Sequence, residues 1–418
     1  MKPSIYNIYS RHKEQHLIYN LYSSELAIVD EITLNYLKSN QVDGIHQTKQ
    51  LVEKGMLIDD ALDECAIVKS RREQYVEKNA FYEIFTTTAC NARCYYCYEA
   101  EEKRETMTID IAEKICNKII SEYNGYEVVL SWFGGEPLCN IKVIDYITER
   151  LALAGIPFRS YMSSNSYLFD ENLLDKAVEK WNLKRVQVTL DSLYDDYNRI
   201  KNFISPKEDP FERVIKNMHL MMDRRIIARV RVNFDPSDMN KAEAVLKFLK
   251  DNFTDEQYLI VYGYGLIDNN IDFALNMNPD SNPYIKMVEM LIDYGYAKTL
   301  KDLMLGFKEH ACMTDTKNSC VFSPSGKMHK CQRAVELGEK DCYGIIGKPE
   351  IDKDRLRFWE YGYAFSKCDK CICLPICQGG CKYRGAIENS ITACCVIKNC
   401  LPEMVELYYS KLYSDVKQ

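Results

Sequence analysis

Residues Phe85–Glu99 read FTTTACNARCYYCYE: a β-rich run, then Cys90, Cys94 and Cys97, then the approach to a helix. Three thiolates within eight residues can hold three irons of a cubane cluster, which leaves the fourth iron without a protein ligand. An open metal position is where chemistry happens. A zinc knuckle or a set of packed thiols is the plainer alternative, and the pattern downstream weighs against it.

From Phe81 the chain alternates strand and helix about six times, with strands expected at YEIFTT, YEVVLSWF, PFRSYMS, KRVQVTL, IIARVRVN and YLIVYG. Between the first two, TIDIAEKICNKIISEY places Ile109, Ala112, Ile115, Cys116, Ile119 and Tyr123 on one helical face. The alternation predicts an α/β fold with a parallel sheet, right-handed crossovers and a ligand site at the C-terminal strand ends. The three cysteines stand at the first of those ends. At the second stand Gly134-Gly135-Glu136-Pro137, where glycines let the backbone approach a ligand closely and proline fixes the exit. The third ends in Ser163-Ser164-Asn165, and the fourth in VQVTLDS with Thr189 and Asp191 at polar positions. Arg199, eight residues after Asp191, and Arg231, at the fifth strand's end, carry guanidinia able to grip a carboxylate bidentately. A surface ion pair is the alternative for each.

The chain has 418 residues, 46% of them apolar, enough for two or three cores. Its net charge of −7 and lack of a long basic block argue against a nucleic-acid partner. No apolar stretch follows the N-terminus MKPSIYNIYSRHKEQ and no run reaches membrane-spanning length, so a cytoplasmic protein without membrane attachment is expected. In that setting eighteen cysteines read as metal ligands rather than disulfides. Residues 1–80 form a small α+β module: IYNIYS and HLIYNLYS alternate as strands around RHKEQ, and LAIVDEITLNYLK and HQTKQLVEKGML follow with helical spacing. KSRREQYVEKN, residues 69–79, reads as a solvated helix face or linker. Residues 81–265 hold the alternating domain, and 266–311 a helical bridge.

Twelve cysteines lie between Cys312 and Cys400. Cys312, Cys320, Gly326 and Cys331 come first. Cys368, Cys371, Cys377 and Cys381 follow as Cys-x2-Cys-x5-Cys-x3-Cys, and Cys394, Cys395 and Cys400 close the series. A four-thiolate zinc ribbon of Cys368, Cys371, Cys377 and Cys381 is the bland alternative.

The CxxxCxxC loop with Tyr96 before its last cysteine resembles the signature of the radical S-adenosylmethionine (SAM) superfamily. Gly134-Gly135-Glu136-Pro137 is identical to that family's GGEP motif. The resemblance implies a partial TIM barrel, with SAM chelated by the open iron and cleaved by one electron to a 5'-deoxyadenosyl radical. It further implies contacts to SAM from the Tyr96 backbone at the adenine, the Gly134–Glu136 motif at the amino group and Ser164 and Asn165 at the ribose. Thr189 and Asp191 match the family's SLDG segment, and Arg199 falls where relatives place a basic residue near the SAM carboxylate. Ser166 replaces the glycine usual after the asparagine. The spacing of residues 312–418 matches the SPASM domain, which implies two auxiliary clusters and therefore three [4Fe-4S] clusters in all. Carried over, Cys312, Cys320, Cys331 and Cys381 hold the first auxiliary cluster. Cys368, Cys371, Cys377 and a late cysteine hold the second, Cys395 being taken over Cys400; Cys342 and Cys373 are bystanders. Residues 1–80 look like a RiPP recognition element, which binds a leader peptide as an added strand, or serve as a cap. Together these features resemble maturases of ribosomally made precursor peptides that install thioether or carbon-carbon crosslinks, with flavodoxin or ferredoxin as reductant. One alternative is an anaerobic sulfatase-maturing enzyme, although Gln332 stands where those relatives place an aspartate. The other is a non-catalytic iron-sulfur carrier or zinc-stabilised binding protein.

Overall fold

Hydrophobic alternation at period two, repeated across the chain, gives the computed structural model its sheets; residues 1–41, 47–74, 79–97, 104–254, 256–265, 282–361, 366–384 and 394–413 are described. The chain divides into two units: residues 1–75, 267–311 and 363–418 form one, residues 76–266 and 312–362 the other.

In the first unit β1 (Lys2–Pro3) precedes an antiparallel sheet of β2 (Asn7–His12), β3 (Gln15–Asn20) and β4 (Glu25–Val29), in the order β2-β3-β4. The stretch LAIVDEITLNYLK, expected to be one helix, is split at Asp30. Leu26–Val29 pair with β3, and α1 (Glu31–Lys38) begins only afterwards, with the Asp30 carboxylate accepting from the Thr33 amide at 2.6 Å. Strand pairing overrode a local pattern that suits either state. HQTKQLVEKGML likewise holds α2 (Thr48–Glu53), then Gly55 at φ +69° and β5 (Leu57–Ile58), which pairs with β1. A helix α3 (Glu64–Gln74) carries most of KSRREQYVEKN, whose residues 75–78 fall outside the described ones. Ile18, Ala27, Val29, Leu34, Leu37, Leu51 and Met56 form the core, each large side chain contributing about 1.5–3 kcal/mol by burial.

The second unit is built on six parallel strands, β6 (Asn79–Thr87), β7 (Glu127–Gly134), β8 (Phe158–Ser163), β9 (Leu183–Thr189), β10 (Ile227–Phe234) and β11 (Leu259–Gly265). All six coincide with the strands expected from the sequence. The crossovers include α4 (Ile109–Ser121), α5 (Ile141–Leu153), α6 (Glu171–Glu179), α7 (Tyr194–Lys201), α8 (Pro210–Asp223) and α9 (Met239–Asn252). Alternate strand residues such as Val186, Val188, Ala228 and Val230 are fully buried, whereas Arg185, Gln187, Thr189, Arg229 and Arg231 between them are half-buried on the opposite face. On α4, Ala112, Ile115, Cys116 and Ile119 are buried as their spacing predicts; Ile109, in the first turn, is 42% exposed.

The sheet does not stop at β6. Residues from the cysteine-rich part add β12 (Ser319–Phe322), parallel to β6, then the antiparallel β13 (Lys327–His329) and β14 (Gly344–Ile345). Residues 312–418, which form one region by cysteine spacing, are thus divided between the two units. Cysteine spacing carries ligand order, not backbone pairing. Among the described residues no helix is long and apolar enough to cross a membrane.

Candidate functional site

The cysteine loop begins where β6 ends and is held there by its neighbour. Amides of Gly135 and Glu136 donate to the Thr87 and Ala89 carbonyls at 3.0 and 2.9 Å. The two glycines serve this contact. Gly134 has φ +121° with the Thr87 carbonyl against its Cα, and a Cβ on Gly135 would lie 2.6 Å from the Ala89 carbonyl oxygen. The freedom of both glycines lets the end of β7 approach the cysteine loop closely. On its far side the loop is tied to the segment after α7, the Arg93 amide donating to the Lys201 carbonyl (2.9 Å) and the Ile204 amide to that of Asn91 (2.8 Å).

Glu136 is fully buried and joins two strand ends. Its Oε1 accepts from the Leu138 amide (3.2 Å) and the Ser164 hydroxyl (2.9 Å), its Oε2 from the Asn165 amide (2.9 Å). The Asn165 side chain continues to Asn91 Oδ1 at 2.7 Å and to Cys90 Sγ at 3.9 Å. Burial outweighs those hydrogen bonds and raises the Glu136 carboxyl to about 7 from 4.5. A raised carboxyl favours the fold fully below its unfolded value, and that contribution is lost as pH rises through about 7. Glu136→Gln is expected to flatten the fall in apoprotein melting temperature between about pH 5 and 7.5; an unchanged slope would show that Glu136 does not titrate there.

Tyr96 enters the site through its side chain. Its hydroxyl donates to Asp191 Oδ2 at 2.5 Å and accepts from Lys201 Nζ at 2.6 Å; Lys201 Nζ stands 2.6 Å from the same Asp191 oxygen, and Asn233 Nδ2 donates to Oδ1 at 2.5 Å. Burial and the Asp191 carboxylate push the phenol well above its ordinary value. Lys201 and Asp191 side chains are only 4% and 2% exposed, a buried ion pair beneath the middle of the cysteine loop. The sequence points to Arg199 as the basic group, but its side chain is 74% exposed and paired with Asp196. Two residues on a helix are about 200° apart, so Arg199 and Lys201 at the end of α7 face opposite ways. That spacing was the available signal for Lys201. Thr189 ends β9 two residues before Asp191, half-buried, and pairs in register with Arg231.

The Cys94 thiol lies close enough to Cys90 to raise the Cys90 thiol. Burial is the larger cause, taking Cys90 to about 12. Three partly buried thiols on one clamped loop, flanked by amides and hydroxyls, form a donor set that fits a sulfur-bound iron cluster, which draws its ligands as thiolates.

A second thiol group lies in the other unit. Cys368, Cys371, Cys373, Cys377, Cys394 and Cys395, with Gly379, Gly380 and Lys398, line one narrow cavity. Gln378, Gly379 and Gly380 all have positive φ, reversing the chain after Cys377, and Cys381 beyond them is exposed and outside that wall. Burial, with Cys395, Cys368 and Cys371 around it, raises the Cys377 thiol to about 12. Cys395 is likewise held protonated chiefly by burial. Cys400 instead accepts from Asn282 Nδ2 at 3.4 Å and is not in the lining. Cys373, set aside on sequence, is hydrogen-bonded to Cys371. Among the described residues no three His, Cys, Asp or Glu close on a point as a single ion needs; a cluster of several irons spaces its thiolates more widely. Cys320 lies in the middle of β12, 3% exposed, with Tyr343 donating to its sulfur at 3.0 Å. Cys312 is exposed, its sulfur 3.1 Å from the Thr314 hydroxyl, and Cys331 follows β13 half-buried. A larger cavity of about 660 Å³ lined by His219, Asp223, Arg225, Phe253 and Tyr258 lies at the opposite, N-terminal strand ends.

Residues 84–249 match the family described as the radical SAM superfamily. The chain is 20% identical over 322 residues to the radical SAM cyclopropyl synthase TigE of Paramaledivibacter caminithermalis, covering 71% of this chain and 63% of that protein. It is 30% identical over 143 residues to the GTP 3',8-cyclase of Chlorobaculum tepidum, covering 34% of this chain and 41% of that one. It thus spans less than two thirds of either curated relative. Native anSMEcpe with bound AdoMet and Kp18Cys peptide shares the fold at a TM-score of 0.62 and 17% identity, over 81% of this chain and 99% of that one.

Proposed function

Since residues 84–249 give this chain a radical SAM domain, we propose that it is a peptide maturase that takes hydrogen from a ribosomally made precursor and closes a thioether or carbon-carbon crosslink. A four-iron cluster with SAM, when bound, supplies a carbon radical able to abstract hydrogen. Cys90, Cys94 and Cys97 would hold that cluster. Glu136, Ser164 and Asn165 shape the adjoining wall and orient the loop, and Asp191 with Lys201 fixes Tyr96 against it. The observation that carries the reading is the clamping of the three-cysteine loop at the C-terminal strand ends by β7 and by Lys201. Cys368, Cys371, Cys377 and Cys395 would hold one auxiliary cluster. Cys312 and Cys331 would serve the other, with Cys320 as a further ligand only if it gives up Tyr343.

A leader peptide would add to β4. Pro402 and Glu406 pack on β2 through Ser10 and His12, whereas β4 has no strand on its outer side among the described residues. Ile28→Pro on that edge is expected to weaken leader binding by the full chain about tenfold. Unchanged affinity would make this sheet a cap. The function itself is tested by anaerobic reconstitution, iron and zinc analysis, and assay of 5'-deoxyadenosine with SAM and a strong reductant. About 12 irons per chain with deoxyadenosine is the expected result, and zinc in place of iron overturns it.

A further inference from the structure

One face of the parallel sheet is lined by arginine and tyrosine in a way that catalysis at the cysteine loop does not use. Ser131 of β7, Tyr161 of β8 and Arg185 of β9 stand side by side in register, as do Ser163, Gln187 and Arg229 on β8, β9 and β10. In parallel strands such neighbours project to the same side. All but Ser131 are half-buried, whereas the residues between them are buried against the helices. The Arg185 guanidinium lies over the Tyr161 ring at 4.1 Å and that of Arg229 over Tyr262 at 4.4 Å. Tyr262 in turn donates to Gln187 Oε1 at 2.6 Å. Arg159, at the start of β8, is neutralised by Glu127. Among the described residues neither Arg185 nor Arg229 has a carboxylate partner. Burial and the nearby charge of Arg229 lower the proton affinity of Arg185.

Two guanidinia on adjacent strands repel each other, and stacking on rings occupies their faces but not their in-plane N–H donors. The carboxylate in this row, Glu83 of β6, is two strands from Tyr161 and accepts from Ser131 at 3.1 Å, so the in-plane donors of the two forks are open to an anion between them. We propose that this wall binds the side-chain carboxylate of an acidic residue in the substrate peptide, held by Arg185 and Arg229. This inference rests on the peptide reading above and names the residue class that reading lacks. A triphosphate carries more negative charge than two guanidinia balance, so one acidic side chain is the better match. Arg229 lies four residues before Asn233, which contacts Asp191, a rise of about 13 Å along the strand.

The test uses reconstituted full-length protein with SAM. Binding is measured for a labelled, amidated glycine heptapeptide with glutamate at its centre, for the same peptide with glutamine, and for GTP. The glutamate peptide is expected to bind at least about tenfold more tightly than its glutamine isostere. The double variant Arg185→Gln/Arg229→Gln is expected to lose that preference. Arg185→Lys/Arg229→Lys, which keeps both charges, retains part of it and stands in should the first variant not fold. Equal binding of the two peptides, no binding of either at about 1 mM, or a preference that survives the glutamine variant overturns the proposal and leaves the peptide reading standing. Binding of GTP in place of the glutamate peptide, abolished in the glutamine variant, overturns both.

Discussion

Replacing Cys90, Cys94 and Cys97 together by alanine is expected to abolish SAM cleavage and to remove about a third of the iron, about 4 of the 12 atoms that three four-iron clusters would hold, while the rest stays with the later cysteines. The two thiol sets belong to separate parts of the chain: the loop after β6 is clamped within one unit, and the cavity lined by Cys368, Cys371, Cys377 and Cys395 is built in the other. Each is closed by its own local backbone, so emptying one leaves the other's walls intact. Iron analysis and deoxyadenosine measured on one reconstituted sample separate the outcomes. Deoxyadenosine formed by the triple variant would remove the loop from the chemistry. Loss of all iron would mean that the later cysteines hold no cluster of their own.

Lys201→Met destabilises the protein by about 3–5 kcal/mol, because it leaves the Asp191 carboxylate buried without its cation. In a unit of this size that lowers the melting temperature by roughly 10 °C. The Tyr96 hydroxyl loses its donor at the same time, so the variant is also expected to retain less iron on the first cysteine loop. Adding Asp191→Asn removes the stranded charge and restores part of the stability, which a double-mutant cycle measures. Arg199→Met is the matched control: its exposed pair with Asp196 is worth at most about 1 kcal/mol. Equal effects from the Lys201 and Arg199 substitutions would show that the buried pair does not anchor the loop.

The contrast between these two basic residues shows how far the site was legible. Cys90, Cys94 and Cys97 announced themselves by type and spacing, since three close thiols have few uses besides metal. Glu136, Ser164, Asn165 and Asp191 were found by their places at strand ends, and the structure gathers all of them around the cysteine loop. Arg199 is exposed at the end of α7, and the buried cation beside the loop is Lys201, two residues on. Arg199 matched a motif distance, but whether a side chain at the end of α7 faces inward depends on the helix's rotation against β9 and β10. The glycines, read from sequence as room for a ligand to approach, also make room for the backbone of the adjoining strand.

Period-two alternation and period-3.6 faces are written in residue identities, so the order of strands and helices, and with it the parallel barrel sheet, could be read directly. Ligand-type spacing in the two cysteine groups is equally local. Other features depend on partners far away in the chain. Leu26–Val29 became a strand because β3 offered its edge, and β12 extended the barrel sheet because β6 offered its own. Lys201 lies inside because Asp191 and Tyr96 required a cation there, and Arg185 came to face Tyr161 only when their strands paired. Tertiary structure decided these, because burial, strand pairing and charge compensation are properties of contacts between segments that no single segment encodes.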